Sequence, residues 1–300
     1  MEAGKGVLER LKKNSILATD IASQQWCELQ MELNYVHGRE PANKAMAAGT
    51  VVHKKLQAEV YTTISVEPQG YADFLYKEAY ENYLSLRSLN EKGIGREIKV
   101  YGSISGYKVS GKIDELKKND GKVMIVETKT KSLNGKLVEK NEGIKEISEA
   151  TMRTHKMQIM LYKKLLDDLK SKNYTYQNFY NSYGIKRMAL SEKFVAQLDL
   201  LDIDKSLRTF DSLYGAMYQQ IYAMPDISNS LRLSYVDRYT GKEFASVDID
   251  YNKDSFDKSL EDAMVYWTGG RSARPVEKDE AWKCNFCRFY GKECKVWWSK

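Results

Sequence analysis

Alternation of apolar and polar positions predicts strands in the middle of the chain, and longer helical periods on both sides predict helices around them. The strands are expected at 97–101, at 104–116, on either side of Asp120-Gly121, and at 231–239 and 243–249. The main helices are expected at 73–89, 148–169 and 254–267, with mostly helical structure at 194–224. Strands interleaved with helices in this way predict the α/β class, with a mixed central sheet flanked by helices.

The hairpin centred on Asp120-Gly121 brings charged side chains together. Asp-Gly favours a two-residue turn with positive φ, and in that register Asp114 lies directly opposite Glu127. Lys129 is one pleat further along the same face. Directly opposed residues have Cβ atoms about 4.5–5.5 Å apart, so the two carboxylates repel unless a cation lies between them. A hard divalent cation prefers such oxygen ligands.

This arrangement predicts a metal-dependent site that hydrolyses phosphodiester bonds. The metal would activate water, and Lys129 would position the nucleophile or neutralise developing charge. A solvated hairpin with exposed charges is the alternative. The apolar run from Val123 to Val126 favours the catalytic interpretation, because it is typical of a strand buried on both faces. Charged residues such as Glu-Thr-Lys at the end of a buried strand indicate a functional site.

Four cysteines predict a second metal centre. Cys284, Cys287 and Cys294 form a C-x2-C-x6-C cluster, and Cys27 lies far away near the N-terminus. A single site with four thiolates would tie the two ends of the chain together. Zinc and a [4Fe–4S] cluster both accept four thiolates, and the spacing does not choose between them. Reduced thiols scattered in a core are the alternative.

The composition indicates the kind of binding partner and the location of the protein. The chain has 300 residues, of which 42% are hydrophobic, and a net charge of +6, which suits a polyanionic partner. Some of its 21 tyrosines are expected to stack on bases. We see no apolar run that would span a membrane and no secretory signal, so we expect an intracellular protein without disulfide bonds.

Three further side chains are candidates because of their place on predicted helices. His53 follows Gly49 by one turn, and Gln158 and Tyr162 are four residues apart and therefore share one helix face. A packed or surface histidine, a solvated glutamine and a core-edge tyrosine are the alternatives. The polar segment 132–143 is expected to be a mobile loop beside the site, and Trp297 and Trp298 are expected to pack on the core. Glu78 and Glu81 are expected on a solvated face.

Taken in order, the motifs resemble the RecB-like branch of the PD-(D/E)xK nucleases. They are Gly49 to His53, Asp114, Glu127-Thr128-Lys129, and Gln158 to Tyr162. The four cysteines are similar to those of its iron–sulfur subgroup, which includes exonuclease V and the CRISPR-associated RecB-like exonucleases. Segments 19–30, 52–56 and 111–116 look most like the exonuclease V family. The chain lacks the long N-terminal extension of some eukaryotic members, which puts organelle targeting in doubt.

The resemblance implies a role for each matching residue. Asp114 and Glu127 would bind Mg²⁺ or Mn²⁺, with His53 as a further ligand and the Thr128 carbonyl contributing. Lys129 would orient the attacking water, and Gln158 and Tyr162 would hold the DNA backbone. The cysteines would bind a [4Fe–4S] cluster of structural role; they are Cys27, Cys284, Cys287 and Cys294.

The resemblance also implies the fold and the activity. Residues 1–300 would form one PD-(D/E)xK nuclease domain, with a helical segment 1–92, a core 93–250 and a cysteine-bearing C-terminus 251–300. The expected activity is a Mg²⁺-dependent exodeoxyribonuclease that degrades single-stranded DNA in repair or replication. We expect a monomer with a single-strand-binding protein as partner, cytoplasmic in a prokaryote and nuclear or mitochondrial in a eukaryote. Two alternatives remain open, namely a CRISPR adaptation nuclease and a zinc-stapled nucleic-acid-binding protein without catalysis.

Overall fold

The computed structural model describes residues 6–41, 44–61, 63–133, 143–201 and 203–296, without the side chains of 44–46 and 48. The predictions for Trp297, Trp298 and most of segment 132–143 lie outside these ranges. The helices are α1 (Val7–Arg10), α2 (Ala18–Val36), α3 (Lys44–Ala58), α4 (Tyr71–Lys92), α5 (Glu149–Lys170), α6 (Tyr176–Tyr183), α7 (Glu192–Leu200), α8 (Phe210–Ala223) and α9 (Lys253–Trp267). The strands are β1 (Ile16–Leu17), β2 (Ile94–Ile104), β3 (Tyr107–Asn119), β4 (Lys122–Lys131), β5 (Ser230–Asp237) and β6 (Glu243–Asp250).

The strands form one mixed sheet, as predicted. The order β1-β3-β4-β5-β6 places the central hairpin in the middle, and β2 also pairs with β3. The β2–β3, β3–β4 and β5–β6 pairs are antiparallel, whereas β4 runs parallel to β5 and β1 runs parallel to β3. Helices pack against this sheet, so the α/β class with a flanked central sheet is confirmed.

The central hairpin has the predicted turn and register. Asp120 and Gly121 have φ values of 49° and 74°, which are typical of a two-residue turn that matches the twist of the strands. Asn119 pairs with Lys122, and the ladder continues to Glu115 opposite Val126. The next residues along this ladder are Asp114 and Glu127.

The strand predicted at 104–116 is wrong in one respect, because a second tight turn interrupts it. Ser105 and Gly106 have φ values of 50° and 80° and join β2 to β3. The register set by this turn pairs Arg96 with Glu115 and Ile98 with Ile113. The residue between Arg96 and Ile98 is Glu97, which therefore lies across β2–β3 from Asp114.

Helix α5 lies very close to the sheet and brings its candidate residues to the hairpin. It begins after Ser148, whose hydroxyl accepts a hydrogen bond from the Thr151 amide and so caps the helix close to its predicted start at 148. A Cβ atom added at Gly111 of β3 would lie 2.5 Å from Tyr162 Cε1 on α5. Only glycine therefore permits this approach of helix to strand.

Helix α4 packs on β2, and this contact corrects the expectation for two acidic residues. Glu78 and Glu81 are half-buried rather than solvated. The Lys99 ammonium on β2 forms an ion pair with Glu78. A single cluster of buried apolar side chains extends from Val7 to Trp267. Within the described ranges we find no helix that is both long and apolar enough to span a membrane.

Candidate active site

The candidate site lies where β3 and β4 stop pairing. Their ladder ends at Glu115 and Val126, and the Thr128 amide donates a hydrogen bond of 2.8 Å to Asp114 Oδ2. From Val126 onward β4 pairs with β5 instead. The carboxylate of Asp114 thus occupies the place of a backbone acceptor and is fixed beside the second strand.

Glu127 is buried beside Asp114, with 2% of its surface exposed. Its Oε1 accepts hydrogen bonds of 2.8 Å from Lys129 Nζ and from Gln158 Nε2. Its Oε2 is also buried and accepts no hydrogen bond from a protein donor, and the Asp114 carboxyl beside it is a partner only when one of the two acids is protonated. A buried oxygen without a donor destabilises the folded state unless a ligand binds it, and a cation would be such a ligand.

Burial raises the pKa of both carboxyl groups, to about 6 for Asp114 and about 8 for Glu127. Repulsion from Asp114 adds to the rise at Glu127, whereas the Lys129 ammonium lowers the pKa of both groups. Two acids that are buried side by side in this way resist losing both protons. A divalent cation between them would reverse this effect, because it favours the ionised form of each.

Lys129, Gln158 and Tyr162 form a hydrogen-bonded chain from β4 to α5. Lys129 Nζ donates to Gln158 Oε1 over 2.8 Å, and Gln158 Nε2 lies 2.7 Å from the Tyr162 hydroxyl. Gln158 also donates to Glu127, so its amide ties the lysine, the acid and the tyrosine together. The structure therefore brings both α5 candidates to the hairpin, although the tyrosine ring itself is buried.

His53 on α3 approaches the same carboxylates from the other side. Its Nδ1 is 3.5 Å from Asp114 Oδ1 and 3.3 Å from Glu97 Oε1. Among the described residues, His53, Glu97 and Asp114 are the group whose possible ligand atoms lie within 4.8 Å of one another. Lys112 forms an ion pair with Glu97 as well. Burial raises the pKa of Glu97, but His53 and Lys112 outweigh it and the net pKa is lowered.

The sequence reasoning missed Glu97. Glu97 on β2 lies opposite Asp114 on β3, which lies opposite Glu127 on β4. Three acidic residues therefore occupy neighbouring positions on adjacent strands. The signal was available in Ser105-Gly106, because a two-residue turn there sets this register in the same way as Asp120-Gly121 sets the other.

The three acidic residues line an open groove with a volume of about 800 Å³. Its wall includes His155 on α5, whose Nδ1 is 3.0 Å from the hydroxyl of Tyr235 on β5. Burial and then the nearby Lys129 ammonium lower the pKa of His155 to about 3. His155 is therefore a neutral hydrogen-bonding group in the groove.

The four cysteines are brought together beside the middle of α2. None forms a disulfide, and all four line one cavity, with Lys283 beside them. Cys27 has φ −166° and ψ 113°, so the helix is kinked at that residue.

The four thiols line one cavity, and four thiolates suit either a zinc ion or a [4Fe–4S] cluster.

Two sequence comparisons identify the family, and one structural comparison is reported beside them. A family model described as exonuclease V, a 5′ deoxyribonuclease, matches residues 7–145, 116–214 and 204–298. Exonuclease V of Danio rerio is 24% identical over 303 residues, which cover 98% of this chain and 72% of that protein. The crystal structure of SSO0001 aligns with 94% of this chain and 91% of that one, at 14% identity and a TM-score of 0.37.

Proposed function

The chain belongs to the exonuclease V family, and on this basis we propose that it is a metal-dependent exonuclease that degrades single-stranded DNA. The family description, a 5′ deoxyribonuclease, supports DNA as the substrate. The observation that carries the proposal is the buried pair Asp114 and Glu127, with no protein donor for Glu127 Oε2 and with Lys129 hydrogen-bonded to Glu127 Oε1.

The residues present fit a divalent cation. Asp114 and Glu127 would hold Mg²⁺ or Mn²⁺ together with the Thr128 carbonyl, and His53 and Glu97 would complete the site on the far side of Asp114. When bound, the cation would polarise the phosphate and lower the pKa of a coordinated water. Oxygen ligands with one histidine suit Mg²⁺ or Mn²⁺, and no thiolate lies in the groove wall among the described residues.

Lys129 prepares the nucleophile. Its ammonium is held by Glu127 Oε1 and by Gln158 Oε1, both at 2.8 Å, which leaves one donor proton for the attacking water. An ammonium in that place also counters the negative charge that develops on the phosphate. Gln158 fixes the direction of the lysine, and Tyr162 fixes the amide of Gln158.

The wall of the groove would hold the DNA backbone. Lys54 and Lys131 line it beside the carboxylates, and His155 offers a neutral imidazole. Cationic and neutral donors bind phosphate oxygens and make the affinity depend on salt. We propose that the core is of the PD-(D/E)xK type, because the acid, the acid and the lysine lie on adjacent strands as that motif requires.

The four cysteines would hold a [4Fe–4S] cluster that joins the two ends of the chain. All four line one cavity, and the resemblance of their pattern to the iron–sulfur subgroup supports the cluster rather than zinc. The cluster would lie against α2 and the C-terminal segment, and none of its four cysteines lines the groove of the carboxylates. We therefore assign it a structural role. In the cell, we propose that the enzyme acts as a monomer in DNA repair or replication, on strands that a single-strand-binding protein covers.

The test is one incubation of the purified protein with end-labelled single-stranded DNA, linear and circular, in Mg²⁺ or in EDTA. The linear strand should be degraded in Mg²⁺ only, and the circle should remain intact because it has no end. Asp114→Asn should abolish the degradation. Degradation that persists in EDTA, or in Asp114→Asn, would overturn the proposal.

A further inference from the structure

A second cavity lies next to the active-site groove. Thr151 and His155 on α5 line both cavities, so the two are neighbours along this helix. The second cavity lies between α2 and α5 and has a volume of about 350 Å³. Its position offers a strand bound at the carboxylates a route past His155 toward α2.

The walls of this second cavity carry groups that suit a nucleic-acid backbone. Among the described residues that line it there is no aspartate or glutamate. Its hydroxyl and amide side chains are Thr19, Ser23, Gln30, Asn34, Thr151 and Thr154. Such neutral side chains donate hydrogen bonds to phosphate and sugar oxygens without repelling them.

Arg39 adds a positive charge to this wall. Its guanidinium lies 3.2 Å from Oδ1 of the buried Asp20 and stacks on the Tyr35 ring, and 57% of its side chain is exposed. Lys13 also pairs with Asp20, at 2.9 Å. Two cations around one carboxylate leave a net positive charge, so Arg39 is held in place and can still bind phosphate.

An aromatic surface lies beside the cavity. Trp26 lines the cavity and meets Trp282 edge to face, with ring centroids 5.6 Å apart. Phe286 meets Trp282 at 6.3 Å. Trp282 is 42% exposed and Phe286 is 76% exposed, which is unusual for rings of this size unless they bind something. Exposed aromatic rings beside a cationic groove are typical of surfaces that stack the bases of single strands.

We propose that this exit path, defined as the second cavity together with Trp26, Trp282 and Phe286, binds the part of a single-stranded DNA that lies beyond the scissile phosphate. Arg39 contacts a phosphate, and the exposed rings stack on bases. The inference rests on the proposed function, since it starts from DNA bound at the carboxylates. Base stacking requires an unpaired strand, so the exit path selects single-stranded over double-stranded DNA.

The test measures how affinity depends on the length of the DNA. Fluorescence anisotropy in EDTA compares an oligothymidylate of about 15 nucleotides, which reaches the exposed rings, with one of about 3 nucleotides, which does not. For the protein that carries Trp282→Ala and Phe286→Ala, we expect the affinity for the longer strand to fall about tenfold and the affinity for the shorter strand to stay the same. Phe74→Ala, which removes a 46% exposed ring that lines neither cavity, is the matched control and should change neither.

The outcomes separate this inference from the proposed function. If the wild-type protein cuts linear DNA but the double variant binds the longer strand as tightly as wild type, the exit path is wrong and the nuclease stands. If the wild-type protein binds the longer strand through these rings and never cuts it, the exit path stands and the nuclease fails. If the double variant keeps its DNA affinity but no longer binds a single-strand-binding protein, the rings form a protein-docking surface and the inference is overturned. An unchanged melting curve of the double variant excludes misfolding.

Discussion

Replacing Glu127 with glutamine tests the electrostatics of the site, because the substitution removes an ionisable group and keeps the shape. Burial and Asp114 raise the pKa of Glu127 from 4.5 to about 8. The folded, metal-free protein therefore keeps a proton that the unfolded chain releases near pH 4.5. It follows that its stability falls as the pH rises from that value toward 8.

The magnitude follows from these two pKa values. At about 1.4 kcal/mol per pH unit, the roughly 2.5 units between 4.5 and neutral pH cost about 3 kcal/mol relative to a side chain that is always neutral. We expect Glu127→Gln to be more stable than wild type by about that amount in EDTA at pH 7, and the difference to vanish near pH 4.5. Mn²⁺ should stabilise wild type far more than the variant, because the variant has lost a ligand.

The assay is urea denaturation of both proteins across this pH range, with EDTA or Mn²⁺. Glu261→Gln, at an exposed position on α9, is the matched control and should follow wild type in every condition. If the Glu127→Gln protein is less stable than wild type in EDTA at pH 7, the buried Glu127 carboxyl group does not destabilise the metal-free protein. The reasoning about the site would then be refuted.

Four other substitutions test separate parts of the site. Lys129→Met should abolish DNA cleavage and keep Mn²⁺ binding, as calorimetry would show; loss of both would mean that the lysine is structural. Gly111→Ala places a Cβ 2.5 Å from Tyr162 Cε1, so it should lower the free energy of unfolding in urea by about 1–3 kcal/mol and slow cleavage. Adding Tyr162→Leu should restore the stability but not the cleavage. Glu97→Gln should weaken Mn²⁺ binding about 10- to 100-fold in the same titration, and an unchanged affinity would remove Glu97 from the site. Cys284→Ser should lose the visible absorbance of an iron–sulfur protein and lower both the melting temperature and the DNA affinity; a colourless wild-type protein, or a variant with full stability and affinity, would contradict the cluster.

The sequence predicted the parts of the fold that depend on short-range signals. The turn at Asp120-Gly121 set the hairpin register, and the two opposed acids followed from it without further information. The start of α5 at Ser148 was predictable for a similar reason, because its capping hydrogen bond joins residues that are only three positions apart.

Glu97 shows where the same reasoning failed. Its place opposite Asp114 depends on the turn at Ser105-Gly106, and Ser-Gly is a weaker turn signal than Asp-Gly because serine tolerates positive φ less readily. The expected strands break at 102–103, so the turn falls inside the strand expected at 104–116 and the register across it is lost. Because the turn at Ser105-Gly106 was missed, Glu97 was not recognised as a candidate ligand.

Other features of the site depend on contacts between distant segments, which local patterns do not encode. The parallel pairing of β4 with β5 brings Tyr235 beside Lys129, and that pairing in turn gives His155 its partner. The kink at Cys27 is also determined by its surroundings, since the residues around it have an ordinary helical pattern. These features required the tertiary structure.

The central claim is that Asp114 and Glu127 share one divalent cation, and the anomalous diffraction of Mn²⁺-soaked crystals tests it most directly. We predict one strong anomalous peak that lies within bonding distance of a carboxylate oxygen of Asp114 and of Glu127 Oε2. A protein that gives no peak there, or places its Mn²⁺ away from both carboxylates, would contradict the account.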